Sequence, residues 1–484
     1  MAKYLLKLTL ILIIAFRMTG IGACTQSAKA RLDPASPVTI ACWHYYNGVQ
    51  LANFDRLVQT FNETAGQQEG IQVNANSQGN NRDLAEAIQT AFASRAGDQP
   101  DIFATYPGTA YEFAAAGRLV DLNKYLNTAD LDKFHPGFLA EGRFSSGGMT
   151  GLYILPIAKS SEVVALNLTD WQSFAADNPR YADPTATFST WESISQAAEA
   201  YQNWSGGKAM IGFDSLANFI IAGSRQSGIS LIDTTAGKVA INLDREALRQ
   251  IWNIYYVGIV QGSWGAPGDY RADDLASGDL IAGVVSTASG TWLPDHVASV
   301  EGRRPIELTV LPYPAFRDGE PVCIQQGAGM AVTRSDASHE AAAAIFLDWL
   351  IRPEQNVSFA IGSSYLPVTG QALQSQLLRD SIRQVADGGA VPAAAQCLDV
   401  FLRQISTQTL YFPGAFHGSD RIRSYLEKSL METARAARQN WLCDQQSNIA
   451  ADQLKTRYFC DAAFESWYSA IILGTDQILK TDSD

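Results

Sequence analysis

Residues Val38 to Gly48, VTIACWHYYNG, decide how the chain is read. After Pro37 comes a β-rich apolar run, Val38 to Trp43, which ends in Trp43, His44, Tyr45 and Tyr46 before the polar Asn47-Gly48. This pattern predicts a strand with aromatic side chains at its carboxyl end. Leu51, Phe54, Leu57, Val58 and Phe61 follow at helical spacing, and Ile71 to Val73 supplies a second short strand. Leu84, Ile88, Ala91 and Phe92 repeat the helical stripe, with Asn81 and Asp83 as candidate caps. Gly97 to Asp101 breaks that helix, and Ile102-Phe103 opens a third strand. The β-α-β-α-β alternation implies an α/β fold with a largely parallel sheet covered by helices, in which ligands gather beyond the carboxyl ends of the strands. Trp43 to Tyr46 and Tyr106 to Thr109 occupy such ends.

Further along, Tyr153 to Pro156 reads as a strand, and a helix capped by Ser189 or Thr190, with Ile194, Ala197, Ala198 and Tyr201 on its face, opens a second lobe. Ile281 to Val285 is an apolar strand that runs into Ser286 to Trp292, small hydroxyl residues beside an aromatic. Gly327 to Val332 forms a glycine-bearing strand before a helix through Ile345, Phe346, Trp349 and Leu350, and the C-terminal third is mainly helical by pattern. Trp191 and Trp349 lie on helical stripes and are expected in the core. There is no internal repeat of fixed period.

A chain of 484 residues is long enough for about three domains, or for two elaborated lobes. Hydrophobic residues make up 46% and aromatics 10%, an ordinary globular composition that argues against disorder, collagen or a multi-span membrane protein. The net charge of −13, with no basic stripe, argues against nucleic acid as a partner.

Lys3 and Lys7 bracket the start of an apolar run, Tyr4 to Phe16, that is too short to span a bilayer and reads as a signal peptide over residues 1–23. Ile21-Gly22-Ala23-Cys24 resembles the lipobox of bacterial lipoproteins, which would make Cys24 the lipidated mature N-terminus. Residues 24–37 carry too little apolar surface to fold and would serve as a tether, so the protein is expected outside the cytoplasm and anchored without a span. Of the six cysteines, Cys42, Cys323, Cys397, Cys443 and Cys460 remain, an odd number that leaves at least one thiol unpaired. Cys443 and Cys460 flank a polar excursion and are candidates for a clip, while spacing leaves the connectivity of the five open and the remaining cysteines read as small buried hydrophobes.

No catalytic constellation emerges. His339-Glu340 begins like a zincin helix, but Ala343 stands where the second histidine is required. Gly206-Gly207-Lys208 lacks the upstream glycine and the following Ser/Thr of a phosphate loop. There is no GxSxG elbow, no Cys/His metal grouping, and no nucleophile signature around His44, His135, His296, His339 or His417. Neither a metal nor another cofactor is expected. A carboxylate pair assembled from distant positions keeps an extracytoplasmic carbohydrate-active enzyme as the rival reading, and a receptor that feeds a sensor is a third.

Several segments together resemble the extracellular solute-binding proteins of ABC importers, sugar-binding class (family 1). They are Ala96 to Ile102, Gly117 to Leu122, Gly151 to Pro156 with Asn167, Thr190 to Ile194, Gly327 to Val332, Ala342 to Ile351 with Pro353-Glu354, and Tyr365 to Val368. Trp43-His44, Ser160-Ser161, Thr287-Ala288-Ser289 and Tyr365 to Thr369 are most similar to the glycerol-3-phosphate and glycerophosphodiester binders. The departures are Asn81 where that subgroup has a tyrosine, Pro107 where it has a glutamate, and Ala415-Phe416-His417 without its phosphate-pairing arginine. A phosphate needs such a fork, so a neutral sugar or polyol is preferred.

The resemblance implies a two-lobed type II periplasmic-binding-protein fold, each lobe a mostly parallel sheet flanked by helices. One lobe would comprise residues 38–157 with 323–369, and the other 158–322 with 370–484. The chain would pass between them near Ala158, Cys323 and Thr369, a monomer that offers its closed form to permease subunits. Sugars need aromatic plates and fixed hydrogen-bonding partners. The candidate plates are Trp43, Tyr45, Tyr46, Tyr106, Trp264, Trp292, Tyr365 and Phe416. The candidate polar partners are His44, Asn81, Ser160, Ser161, Asp214 and Ser289, with Gly327 bringing backbone close to the ligand.

Overall fold

The computed structural model describes residues 32–94, 97–146, 149–234, 239–299, 302–387, 392–447 and 449–481. The leader, Cys24, most of the tether and Ala96 lie outside these residues. In chain order the elements that build the two lobes are β1 (Val38–His44), α1 (Gly48–Glu63), β2 (Ile71–Ser77), α2 (Asn81–Ala93), β3 (Ile102–Thr105), α3 (Pro107–Ala115), β4 (Leu155–Pro156) and β5 (Glu162–Asn167). They continue through α4 (Trp191–Trp204), β6 (Ile211–Phe213), α5 (Leu216–Gln226), α6 (Arg245–Gln261), β7 (Ala282–Ser286), β8 (Leu308–Pro312), β9 (Val322–Ile324) and β10 (Gly329–Val332). The C-terminal third holds α7 (Ala337–Leu350), α8 (Pro353–Ser363), α9 (Gln376–Asp387), α10 (Pro392–Thr407), β11 (Thr409–Tyr411), α11 (Ser419–Gln446) and α12 (Asp461–Thr481).

The first sheet has the order β2-β1-β3-β10-β4, with β1 parallel to both β2 and β3. The second has the order β8-β5-β7-β6. Both sheets are mixed instead of mostly parallel: β10 returns from the second lobe and runs antiparallel to β3 and β4, and β5 runs antiparallel to β7 and β8, which leaves β6-β7 as the parallel pair of that sheet. Each sheet has its own apolar core. Phe54, Phe61, Ile88, Phe103, Phe346 and Trp349 belong to the first, and Trp171, Trp191, Phe219, Trp252, Phe316 and Trp467 to the second. Trp191 and Trp349 are buried, as their helical stripes predict.

The chain crosses between the lobes at Ile157 to Ser161 and again at Gln325 to Ala328, and the two crossings pair through Ser160 and Gln326. Lys159 also bridges Leu366. The third crossing lies beyond the predicted position at Thr369. α9 packs on α8, and Leu378 joins Val357 and Ala372, so residues 370–387 sit with the first lobe. α10 then spans the join: Leu398 and Phe401 enter the first core, while Cys397 and Val400 pack with Val163, Val285 and Val310 of the second sheet. β9 pairs with β11, and α11 and α12 pack against α6 as a helical extension of the second lobe.

Two local expectations change. Asn80, not Asn81, caps α2: its side chain accepts from the N–H groups of Arg82 and Asp83, and Asp83 returns the bond to the Asn80 N–H. The Cys443–Cys460 clip is not formed. Cys443 is exposed on α11, Cys460 turns its thiol to the Arg457 carbonyl at 3.3 Å, and Cys42, Cys323 and Cys397 are buried free thiols. Among the described residues no helix is long and apolar enough to cross a membrane.

The crossover holds a buried ion pair. Lys159 Nζ meets Glu141 Oε2 and donates to the Gly327 carbonyl at 2.9 Å, with both charged residues over nine-tenths buried. Removing one partner of such a pair strands the other charge. The expected outcome for Lys159→Met is a loss of about 3 kcal/mol in urea unfolding, whereas an unchanged midpoint and slope would show that the pair is dispensable.

Candidate functional site

Between the two sheets lies a cleft of about 380 Å³. Its first-lobe wall is the start of two helices that follow sheet strands: Asn81 opens α2 after β2, and Tyr106 to Thr109 open α3 after β3. Pro107 at the first turn of α3 ends the strand and sets the helix entry, since its fixed φ suits that position and no N–H is needed there. Gly108 lets Asp420 of the other lobe approach where any Cβ would collide with its carboxylate. The second-lobe wall carries Ser215, Asn218 and Ile221 of α5 and its cap, with Ser419, Asp420 and Arg423 from the first turns of α11. Ile324, Gln325 and Gln326 of the crossover form the floor, and Phe412 to Ala415 complete the lining.

Several of the polar groups are held by a partner behind them. Glu141 takes Gln325 Nε2 as well as Lys159, which leaves Gln325 Oε1 as a buried acceptor without a protein partner. Gln326 Oε1 and Ser419 Oγ are likewise buried and unpartnered. On the opposite wall, Arg423 Nη2 donates to Asn218 Oδ1 and to Ser215 Oγ, the latter at 3.3 Å. Tyr106, Tyr45 and Tyr365 form a buried phenol cluster behind the first wall: the Tyr45 and Tyr365 hydroxyls are 3.4 Å apart, and Tyr106 reaches both Tyr45 and Asn81. At the mouth the lobes touch. Thr109 Oγ1 donates to Asp420 Oδ2 at 3.3 Å, Gly418 N–H donates to Glu112 Oε1 at 3.1 Å, and His417 Nδ1 pairs with Glu112 Oε2. Burial pushes the Asp420 carboxyl above the usual carboxylate range, with Thr109 and Arg423 opposing that rise.

Of the fifteen residues singled out in the sequence, Asn81 and Tyr106 line this cleft. Tyr45 and Tyr365 stand directly behind it, and Gly327 lies under it with φ +91°, its carbonyl taken by Lys159. Several others serve the fold. His44 and Tyr46 stack on one another, with centroids 5.0 Å apart, inside the first core, where burial lowers the His44 pKa to about 4. Trp43 is half-buried against that same core. Trp264 stacks on Phe213 at 5.0 Å, and Phe416 is buried in the second core, so neither offers a plate to a ligand. Ser161 Oγ donates to the Ile324 carbonyl at 2.8 Å, and Ser160 is tied by main-chain bonds to Gln326, which makes both serines crossover struts. Asp214 accepts the Arg271 N–H at 2.8 Å, and burial raises its pKa to about 6. Ser289 sits in a 3-10 turn where its carbonyl accepts the Trp292 N–H, and the Trp292 indole lies exposed over Gly48; neither residue lines the cleft.

Sequence reasoning missed Glu141, Asn218, Gln325, Phe412, Ser419, Asp420 and Arg423, and placed Thr109 at a strand end without singling it out. For α3 the Pro107-Gly108 pair after a strand was a usable signal. The polar groups of α5 and α11 carry none, because each reaches the cleft from helices far apart in the chain.

The profile of a family described as bacterial extracellular solute-binding protein matches residues 56–383, more than half of the chain. The chain belongs to the bacterial extracellular solute-binding proteins. Proteins of this family bind solutes and are not enzymes. Three solved structures are similar in fold. The cyclic alpha-maltosyl-1,6-maltose binding protein of Arthrobacter globiformis is 17% identical with TM-score 0.63, over 90% of this chain and 99% of that one. UgpB of Mycobacterium tuberculosis in complex with glycerophosphocholine is 20% identical with TM-score 0.64, over 86% and 100%. The ABC substrate-binding protein Lmo0181 of Listeria monocytogenes in complex with cycloalternan is 16% identical with TM-score 0.66, over 91% and 100%. No curated protein sequence matches the chain.

Behind the second-lobe wall Glu162 is fully buried, and burial raises its pKa to about 8 against the opposing bond from Asn218. The folded chain therefore keeps a proton that the unfolded chain has already released, and stability falls as pH rises from about 4.5 to about 8. The expected outcome is that Glu162→Gln, which cannot ionise, raises Tm relative to the parent at pH 8 and converges with it near pH 5 in differential scanning fluorimetry. Parallel pH profiles would contradict this burial.

Proposed function

We propose that the protein is the solute-capturing subunit of an ABC importer, held at the membrane surface through a lipid on Cys24, and that it takes a neutral carbohydrate or polyol into the interlobe cleft. The observation that carries the reading is the floor of the cleft, where Gln325 Oε1 and Gln326 Oε1 are buried acceptors with no protein partner. Leaving such atoms unsatisfied costs about 1–3 kcal/mol each, and a ligand rich in hydroxyl donors relieves that cost. Tyr106 and Phe412 supply apolar surface for sugar C–H faces. The neighbours named above with maltose-type or cycloalternan ligands support a carbohydrate class.

A second reading rests on Arg423, a guanidinium in the cleft that the sequence comparison around Phe416 did not anticipate. It favours a glycerophosphodiester, the ligand class of the UgpB complex. One carboxylate weighs against it. Asp420 lies on the same wall and opposes a phosphate while accepting from sugar hydroxyls, whereas the charge of Glu141 is already matched by Lys159.

A ligand that touches both lobes stabilises the closed arrangement in proportion to its differential contacts, and a Kd near 1 μM corresponds to about 8 kcal/mol. In a thermal-shift panel of maltose, maltotriose, cellobiose, glycerol, glycerol-3-phosphate and glycerophosphocholine, neutral sugars are expected to raise Tm. Arg423→Ala is expected to weaken that binding about tenfold or more. A response confined to the phosphates would favour the second reading, and conversion of any sugar to product would defeat both.

A further inference from the structure

Behind the second-lobe wall a line of side chains runs from a buried carboxyl to the cleft. Glu162 opens β5 with no exposure to solvent, and its Oε1 accepts from Asn218 Nδ2 at 2.7 Å. Its other oxygen, Oε2, has no partner. Because Oε1 offers only lone pairs to this contact, the Asn218 amide presents Nδ2 to Glu162 and Oδ1 to the other side, where Oδ1 accepts from Arg423 Nη2. The same Nη2 donates to Ser215 Oγ at 3.3 Å. Arg423 Nε and Nη1 have no protein partner among the described residues, and the side chain lines the cleft.

We infer that Glu162 is a positioning residue for solute binding: it fixes the orientation of the Asn218 amide and, through it, clamps one edge of the Arg423 guanidinium so that the other edge faces the solute. The inference rests on the cleft being the binding site. Without Glu162 the two ends of the Asn218 amide are nearly equal in shape, and a flip would set its NH₂ against the cationic Arg423. Arg423 would then swing away from the wall, because a guanidinium is a planar fork that is useful only when its plane is held. A fully buried carboxyl is otherwise expensive, and an apolar residue would pack there at lower cost.

The ionisation of Glu162 makes this testable. Five titratable groups act on it from the surrounding elements: Arg423 and Glu427 of α11, Asp214 before α5, Tyr313 after β8, and Cys323 of β9. Arg423 favours the ionised form, while Asp214 and Glu427 oppose it. With its pKa raised to about 8, Glu162 gains its charge as pH rises through that value, and the grip on Arg423 tightens.

The direct test is NMR of the mature chain labelled with ¹⁵N-arginine, without ligand, between pH 6 and 10, with Arg423 assigned by loss of its signals in Arg423→Lys. Arg423 in the parent is expected to show separate, slowly exchanging Nη signals and an Nε shift that titrates near pH 8. Glu162→Gln keeps an acceptor for Asn218 and is expected to keep the separate signals and lose the titration. Glu162→Met is expected to collapse them to an average. Asn218→Leu, which leaves Glu162 in place, is expected to do the same and serves if Glu162→Met fails to fold. Parent-like Arg423 signals in a folded Glu162→Met or Asn218→Leu, or collapse in Glu162→Gln, would overturn the inference. Maltose titration supplies the second readout, with Glu162→Met expected to bind about tenfold more weakly and Glu162→Gln to restore most of the affinity. If maltose leaves the parent unaffected, the sugar reading is in question, while the NMR result still decides the positioning role.

Discussion

The arrangement of the site depends on the ion pair between Lys159 and Glu141, buried where the chain passes from one lobe to the other. Lys159 belongs to the crossing segment, Glu141 to the first lobe, and the Gly327 carbonyl that shares the ammonium to the returning strand. Three separate passages of the chain therefore meet on one charge. A buried pair is weak evidence of net stability, since desolvation offsets most of the Coulomb gain. Its value here is orientation. By accepting from Gln325 Nε2, Glu141 fixes the Gln325 amide so that Oε1 is the end left buried without a protein partner beneath the cleft.

The two walls repeat this logic with different partners. On the first, Tyr45 and Tyr365 stand behind Tyr106, and Asn81 is free to face the cleft because Asn80 takes over the helix cap. On the second, Ser215 and Asn218 hold the Arg423 fork. The result is a cleft in which carboxylates, an arginine and amide oxygens stand close to one another. Such a mixture suits a ligand that carries many hydroxyls and little net charge. It also explains why so few aromatic rings reach the surface of the cleft: most of the aromatics at strand ends are consumed by the two cores.

The fold was largely legible because it rests on short-range patterns. The strand Val38 to Trp43, the stripes of α1 and α2, and the burial of Trp191 and Trp349 all follow from periodicity within a dozen residues. The direction of β10 and the place of residues 370–387 were not legible, since both depend on how a returning chain packs against a distant element. The site was less legible than the fold for a related reason. Strand-end position drew attention to Tyr106, and the resemblance to Asn81, both of which line the cleft, yet the strand-end rule also drew in His44 and Tyr46, whose side chains turn into the first core. Arg423 escaped notice because it lies one turn into a helix whose own pattern reads as an ordinary packed extension.

The proposed binding mode holds the solute between the two lobes on the Gln325–Gln326 floor. The most direct measurement is a crystal structure of the mature protein soaked with maltotriose or grown with it. The account predicts sugar density in contact with Tyr106, Gln325 and Arg423, with hydroxyls donating to the two glutamine oxygens. Sugar density on an outer face of either lobe, with the cleft holding solvent alone, would contradict it.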